Sequence, residues 1–234
     1  MKKILLAILL VALALACVSC NETDPAAKSA GVMTYAQYMA ANDGDDVVIE
    51  AYVQATQSWW DDKITVYAAD PDGAYFLYEL ACSEADAAKL VPGTKIKVTG
   101  KKASWAGEVE IIEATFEFAG NITYTSTPKD LTDKLDDDTL INYQNQLVTF
   151  KGLEVVSVTY KGDARGDDIY LTVKDAKANE YDFCVERYLT GPDTEVYLAV
   201  EALQAGDVID VTGFAYWYNG INTHVTAVSK VVAE

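Results

Sequence analysis

An internal repeat constrains the fold of this chain more than any other feature. Leu90-Val91-Pro92-Gly93-Thr94-Lys95-Ile96-Lys97-Val98-Thr99-Gly100 aligns with Leu203-Gln204-Ala205-Gly206-Asp207-Val208-Ile209-Asp210-Val211-Thr212-Gly213, with Leu, Gly, Ile, Val, Thr and Gly in register. Upstream, Thr65-Val66 and Phe76 answer Thr172-Val173 and Phe183 at one constant offset. Downstream, Trp105 and Gly107 answer Trp217 and Gly220 with one single-residue gap. A match extending over both flanks indicates a duplicated domain rather than a shared turn.

Each copy reads mostly as strand, from β-branched and aromatic runs and from period-two alternation. In the first copy the runs are 46–53, 64–68, 74–80, 96–100 and 109–114; in the second they are 147–158, 169–174, 181–186, 208–213 and 221–232. A helical segment interrupts each set at the same place. Ser83 to Leu90 opens on a capping serine and early acids and stops at Pro92-Gly93, and Glu195 to Gln204 stops before Gly206. Asp130 to Tyr143 and Met33 to Ala41 read as further short helices ahead of each copy.

Three strands, a helix and two strands, with the Gly-x-x-Ile-x-Val-Thr-Gly core, resemble the five-stranded Greek-key barrel called the OB-fold. The pairing of two such copies resembles the exported OB-type lipoproteins of gut bacteria. The expected fold class is therefore mainly β, with two tandem OB-like barrels, each carrying one short helix between strands 3 and 4. A β-sandwich is the alternative. The division that follows is 1–16 leader, 17–32 tether, 33–118 first barrel, 119–146 linker and 147–234 second barrel.

The N-terminus fits that resemblance. Lys2 and Lys3 precede an uncharged apolar run from Ile4 to Ala16. The run is too short to span a bilayer as a helix, which takes about 20 residues, and reads as an export signal. Ala14-Leu15-Ala16-Cys17 and the nearby Ser19-Cys20 resemble the site where bacterial lipoproteins are cleaved and lipidated. Cys17 is the favoured anchor and Cys20 the alternative. The small, polar residues after Cys20, through Gly31, read as a flexible tether. The expected location is outside the cytoplasm, lipid-anchored to the cell membrane or the outer membrane, with the membrane itself a partner. Cys82 and Cys184 lie in apolar runs and are expected to be buried free thiols rather than a disulfide.

The chain carries 18 basic against 36 acidic residues, a formal charge of −18. An acidic excess repels phosphate backbones, whose binding requires Lys and Arg to displace counterions. On that ground nucleic acid, the usual OB ligand, is not expected as a partner. Lys95, Lys97, Lys101 and Lys102 form a local basic exception that reads as a solvated face.

Aromatic residues supply the candidate site. Trp59 and Trp60 are adjacent, so one strand cannot direct both into a core. They fall between strands 1 and 2, while Trp105 and the run Tyr216-Trp217-Tyr218-Asn219 fall between strands 4 and 5 of the two copies. Those loops flank the binding face of an OB-fold. Rings beside Asp and Asn suit stacking on a sugar or docking of a protein; the competing reading is that they plug the barrel ends. No catalytic set, cofactor motif or metal site is read. The one histidine, His224, lies in an apolar alternating run, and Glu108 with Glu110 reads as an ordinary solvent face. Asp70-Pro71-Asp72-Gly73 begins like a calcium loop but lacks its later ligands. The expected function is non-catalytic recognition of a glycan or an envelope protein through exposed aromatics. A structural subunit of an envelope complex and a single-stranded nucleic-acid binder are the alternatives.

Overall fold

The computed structural model describes residues 24–231. The leader and the candidate lipidation residues Cys17 and Cys20 lie outside the described residues. Strands β1 (Asp46–Thr56), β2 (Lys63–Asp70), β3 (Gly73–Ala81), β4 (Lys95–Trp105) and β5 (Glu108–Phe118) close into a barrel in the order β1-β2-β3-β5-β4. Strands β7 (Leu147–Tyr160), β8 (Ile169–Lys174), β9 (Glu180–Val185), β10 (Val208–Phe214) and β11 (His224–Lys230) repeat that order. Their ring is completed by pairing of β10 with β7, and a two-residue strand β6 (Lys129–Asp130) lies parallel to β7. In both rings the third and fifth strands pair in parallel, Phe76 with Glu110 and His224 with Cys184. This is the OB strand order, and it occurs twice as the repeat requires.

The repeated motif has the same physical task in each barrel. Gly93 and Gly206 sit at φ of 91° and 90°, a left-handed conformation that costs glycine little. Their N–H groups donate to Val53 and Val155, which brings the chain back onto the first strand of each ring. Gly100 and Gly213 lie where the fourth strand crosses the fifth most closely. A Cβ on Gly100 would meet the Ile111 side chain at 2.7 Å, and one on Gly213 would press on the His224 backbone. The β4–β5 and β10–β11 pairings both shift register at these glycines, as strands do when a barrel turns a corner.

The cores follow the alternation. Val47, Ile49, Val66, Leu77, Ile96 and Val98 fill the first barrel, and Phe150, Leu171, Val173, Phe183, Ile209 and Val211 fill the second. Helix α2 (Glu84–Ala87) and helix α3 (Glu195–Glu201) occupy the interval between strands 3 and 4, capped by Ser83 and Thr194. Helix α1 (Tyr35–Ala40) begins with a Thr34–Gln37 capping box and buries Tyr38 under the first barrel. Cys82 and Cys184 are buried and unpaired.

Four local expectations are corrected. α2 is shorter than the eight-residue segment proposed, because Pro92-Gly93 begins the return to β4 almost at once. The single short helix expected in the linker is split into two 3-10 turns, Thr132–Lys134 and Asp138–Tyr143. Asp130 and Asp137 accept from the backbone two residues on, which holds the chain in tight turns. The supposed tether is docked from Lys28 onward: its ammonium lies 2.5 Å from Asp70 and 2.7 Å from the Glu50 carbonyl. Finally, Glu108 is fully buried and Glu110 nearly so, because the second barrel covers that face of β5.

Candidate functional site

The two barrels meet along a packed seam. Tyr67 of β2 stacks on Phe214 of β10 with ring centroids 4.2 Å apart and planes 10° from parallel. Phe76 and the half-buried Leu147, Leu189 and Tyr216 complete this apolar contact. Offset aromatic stacking contributes about 0.5–1.5 kcal/mol beyond the area it buries. Beside it, the buried Glu108 carboxylate accepts from Asn145 Nδ2 at 2.5 Å and from the Trp217 backbone N–H at 2.8 Å. Burial outweighs these two donors and pushes the Glu108 carboxyl up to about 8. The β4–β5 hairpin turns at Ala106-Gly107, both at positive φ, and fits under the Trp217 indole. The Ala106 carbonyl accepts from the Asn219 N–H at 2.7 Å, so the corresponding loops of the two barrels touch.

A cleft of about 790 Å³ opens next to this seam. Phe76, Tyr216 and His224 line its apolar part, with the Tyr216 phenol stacked 4.2 Å from the His224 imidazole. Trp60 sits at the β1–β2 hairpin tip, where Asp61 and Asp62 both adopt positive φ and tighten the turn. Trp105 stands at the end of β4, Tyr78 on β3, and Tyr188 on the segment after β9. All four rings are exposed, most of all Trp60 at 70% and Trp105 at 62%. The Ser58 N–H donates to the Tyr188 carbonyl at 2.7 Å and ties the two walls together.

Carboxylates are spaced between the rings. Glu79 is paired with Lys63, and Asp168 with Lys161. Glu186 accepts from the N–H groups of Tyr188 and Leu189, and burial pushes its carboxyl up to about 7. Glu110, 9% exposed, is also raised by burial. His224 is the reverse case: burial holds its imidazole down to about 3, so it is neutral, and its Nδ1 shares a hydrogen bond with the Tyr67 hydroxyl.

The structure divides the candidate aromatic residues. Trp60, Trp105 and Tyr216 come together in the cleft. Trp59 is half-buried against the first core, its indole N–H donating to the Cys82 carbonyl at 2.8 Å. Trp217 packs on the second core and on the Gly107 turn. Tyr218 is exposed and, with Trp217, borders a separate groove near Asp136 to Asp138, while Asn219 holds the inter-barrel turn. Sequence reading missed Tyr78, Tyr188 and Glu186 and took Glu110 for a solvent residue. Tyr78 and Glu110 of the first barrel meet Glu186 and Tyr188 of the second only through inter-barrel packing. The basic exception is absorbed locally: Lys95, Lys97 and Lys101 pair with Glu50, Glu117 and Asp46. Lys102 is buried against the Met39 and Ala41 carbonyls.

No protein-family model matches the chain, and no curated protein does. Solved structures do. A murine DNA-binding protein bound with double-stranded DNA is 13% identical, with 81% of this chain and 100% of that one covered and a TM-score of 0.36. The Ifi202 HINa domain in complex with a 20-base-pair duplex is 12% identical over 60% and 77% of the two chains, TM-score 0.34. The p204 HINb domain is 14% identical over 82% and 100%, TM-score 0.36. Two of these structures were solved on double-stranded DNA, against the expectation that net charge sets nucleic acid aside as a partner.

Proposed function

We propose that this chain is a non-catalytic binding protein whose ligand lies in the inter-barrel cleft. The observation that supports this most directly is the open group of rings, Trp60, Tyr78, Trp105 and Tyr188, placed around one concave surface. Exposed large rings of this kind are costly to leave in water and serve as stacking platforms. Polar groups set between them give orientation, as in small-molecule sites generally. A glycan is the first reading, since sugar rings stack on indole and their hydroxyls donate to carboxylates.

Nucleic acid is the second reading. Unpaired bases also stack on Trp and Tyr, each worth about 1–3 kcal/mol, and two similar structures were solved with DNA bound. The same proposal includes export and lipid anchoring through Cys17 or Cys20, on the leader pattern and the resemblance to exported OB-type lipoproteins.

Tryptophan fluorescence tests the cleft reading, because Trp60 and Trp105 report on it. A polysaccharide panel, single-stranded DNA and duplex DNA are titrated at two salt concentrations. A saturable shift with a glycan, insensitive to salt, supports the first reading. A shift with DNA that weakens steeply with salt supports the second. Absence of any shift across the panel contradicts both. Membrane retention of the wild type, lost on replacing Cys17 and Cys20 together with Ser, tests the anchor; a fully soluble wild type contradicts it.

A further inference from the structure

Glu110 differs from every other carboxylate in the cleft. Glu79 and Asp168 have lysine partners, and Glu186 accepts two backbone N–H groups. Glu110 makes no hydrogen bond and no ion pair among the described residues, although its residue is 91% removed from solvent and lines the cleft. A carboxylate buried without a partner is costly, and this one faces a cavity. Around the same cavity stand Trp60, Trp105, Tyr78 and Tyr216. Aromatic faces attract cations through their quadrupoles, more strongly as water is excluded. An unpartnered acid among aromatic faces has the complementarity of an ammonium group carrying an apolar or ring-shaped body.

We propose that the cleft selects a ligand with an organic ammonium headgroup, whose charge is met by Glu110 and whose body lies against Trp60 and Trp105. This rests on the cleft reading above and narrows it. The neighbouring acids complete the case. Lys63 and Lys161 are already held by Glu79 and Asp168, so neither neutralises Glu110. The unpaired charge among these lining residues is therefore negative.

The test uses matched probes that differ mainly in charge. Choline is compared with 3,3-dimethyl-1-butanol, its neutral isostere, and glucosamine with N-acetylglucosamine. Binding is read by tryptophan fluorescence on the full chain. The proposal predicts that at least one cation binds about tenfold or more tightly than its neutral counterpart. Preference for choline assigns a methylated ammonium, and preference for glucosamine assigns an amino sugar. Glu110→Gln, checked for an unchanged unfolding midpoint, should erase the preference. Because the comparison is made on the wild type, the result does not depend on that variant folding. Equal affinity within both pairs overturns the ammonium assignment. If a neutral glycan or DNA binds meanwhile, the cleft reading stands; if nothing binds, both fall.

Discussion

The Tyr67 hydroxyl lies 2.5 Å from His224 Nδ1, and this buried hydrogen bond joins β2 of one barrel to β11 of the other. Burial holds the imidazole neutral and raises the phenol well above its usual range, so the bond joins two uncharged groups. The same Tyr67 ring stacks on Phe214, and the same His224 ring on Tyr216 in the cleft. The seam and the cleft are thus built from shared side chains, and rigidity of one positions the other.

Tyr67→Phe keeps the ring and its stack but leaves Nδ1 without its partner. An unpaired buried polar group costs roughly 1–3 kcal/mol. Urea unfolding should show a loss of that size with an unchanged m-value. A change of only a few tenths would mean the bond contributes nothing to holding the barrels together.

Stability should fall as pH rises through the neutral range. Glu108 titrates near 8 in the folded chain, against an ordinary carboxylate value of 4.5. Between those two values the folded chain holds a proton that the unfolded chain has released. Its contribution is full below the unfolded value and declines as pH rises to about 8, with a slope of about 1.4 kcal/mol per pH unit at most. Glu186, raised to about 7, adds in the same direction. Glu108→Gln should flatten most of the dependence; a profile unchanged by that variant would show that Glu108 is not its source.

Gly107 is a point of close approach between the barrels. It adopts φ of 93°, and a Cβ there would stand 2.8 Å from the Trp217 ring. Gly107→Ala should cost roughly 1–3 kcal/mol from strain and displacement of that indole. Gly152→Ala, also at positive φ but with open space around it, should cost less. Equal melting points for the two variants would contradict the close approach.

The N-terminal segment should stabilise the first barrel. Lys28 neutralises Asp70, whose side chain is fully buried, and also reaches the Glu50 carbonyl. Lys28→Met leaves a buried charge unpaired and should cost roughly 3 kcal/mol. Adding Asp70→Asn should recover part of it. Additive losses in the double variant would show the two residues are not coupled.

Much of this fold was legible in the sequence because the repeat carried two physical constraints per copy. Gly93 and Gly206 serve a left-handed turn, and Gly100 and Gly213 a close strand crossing; neither place tolerates a side chain easily. The cleft was only partly legible. The loop position of Trp60 and Trp105 pointed to it, but Trp59 and Trp217 share that position and turn inward to satisfy an N–H or fill a seam. Glu108 and Glu110 alternate like solvent residues, and only the second barrel's placement buries them. Inter-barrel packing leaves no periodic trace. The docking of Lys28 was hidden for a related reason, since one lysine among small residues gives no pattern.

The central claim is that ligand binds in the cleft on Trp60 and Trp105. The most direct measurement compares ligand affinity, by calorimetry, across wild type, Trp60→Ala Trp105→Ala and Tyr218→Ala, using the panel member that binds best. Tyr218 is an exposed ring outside the cleft. The cleft account predicts at least a tenfold loss in the double variant and no change in Tyr218→Ala. Undiminished affinity in the double variant, or an equal loss in Tyr218→Ala, would contradict it.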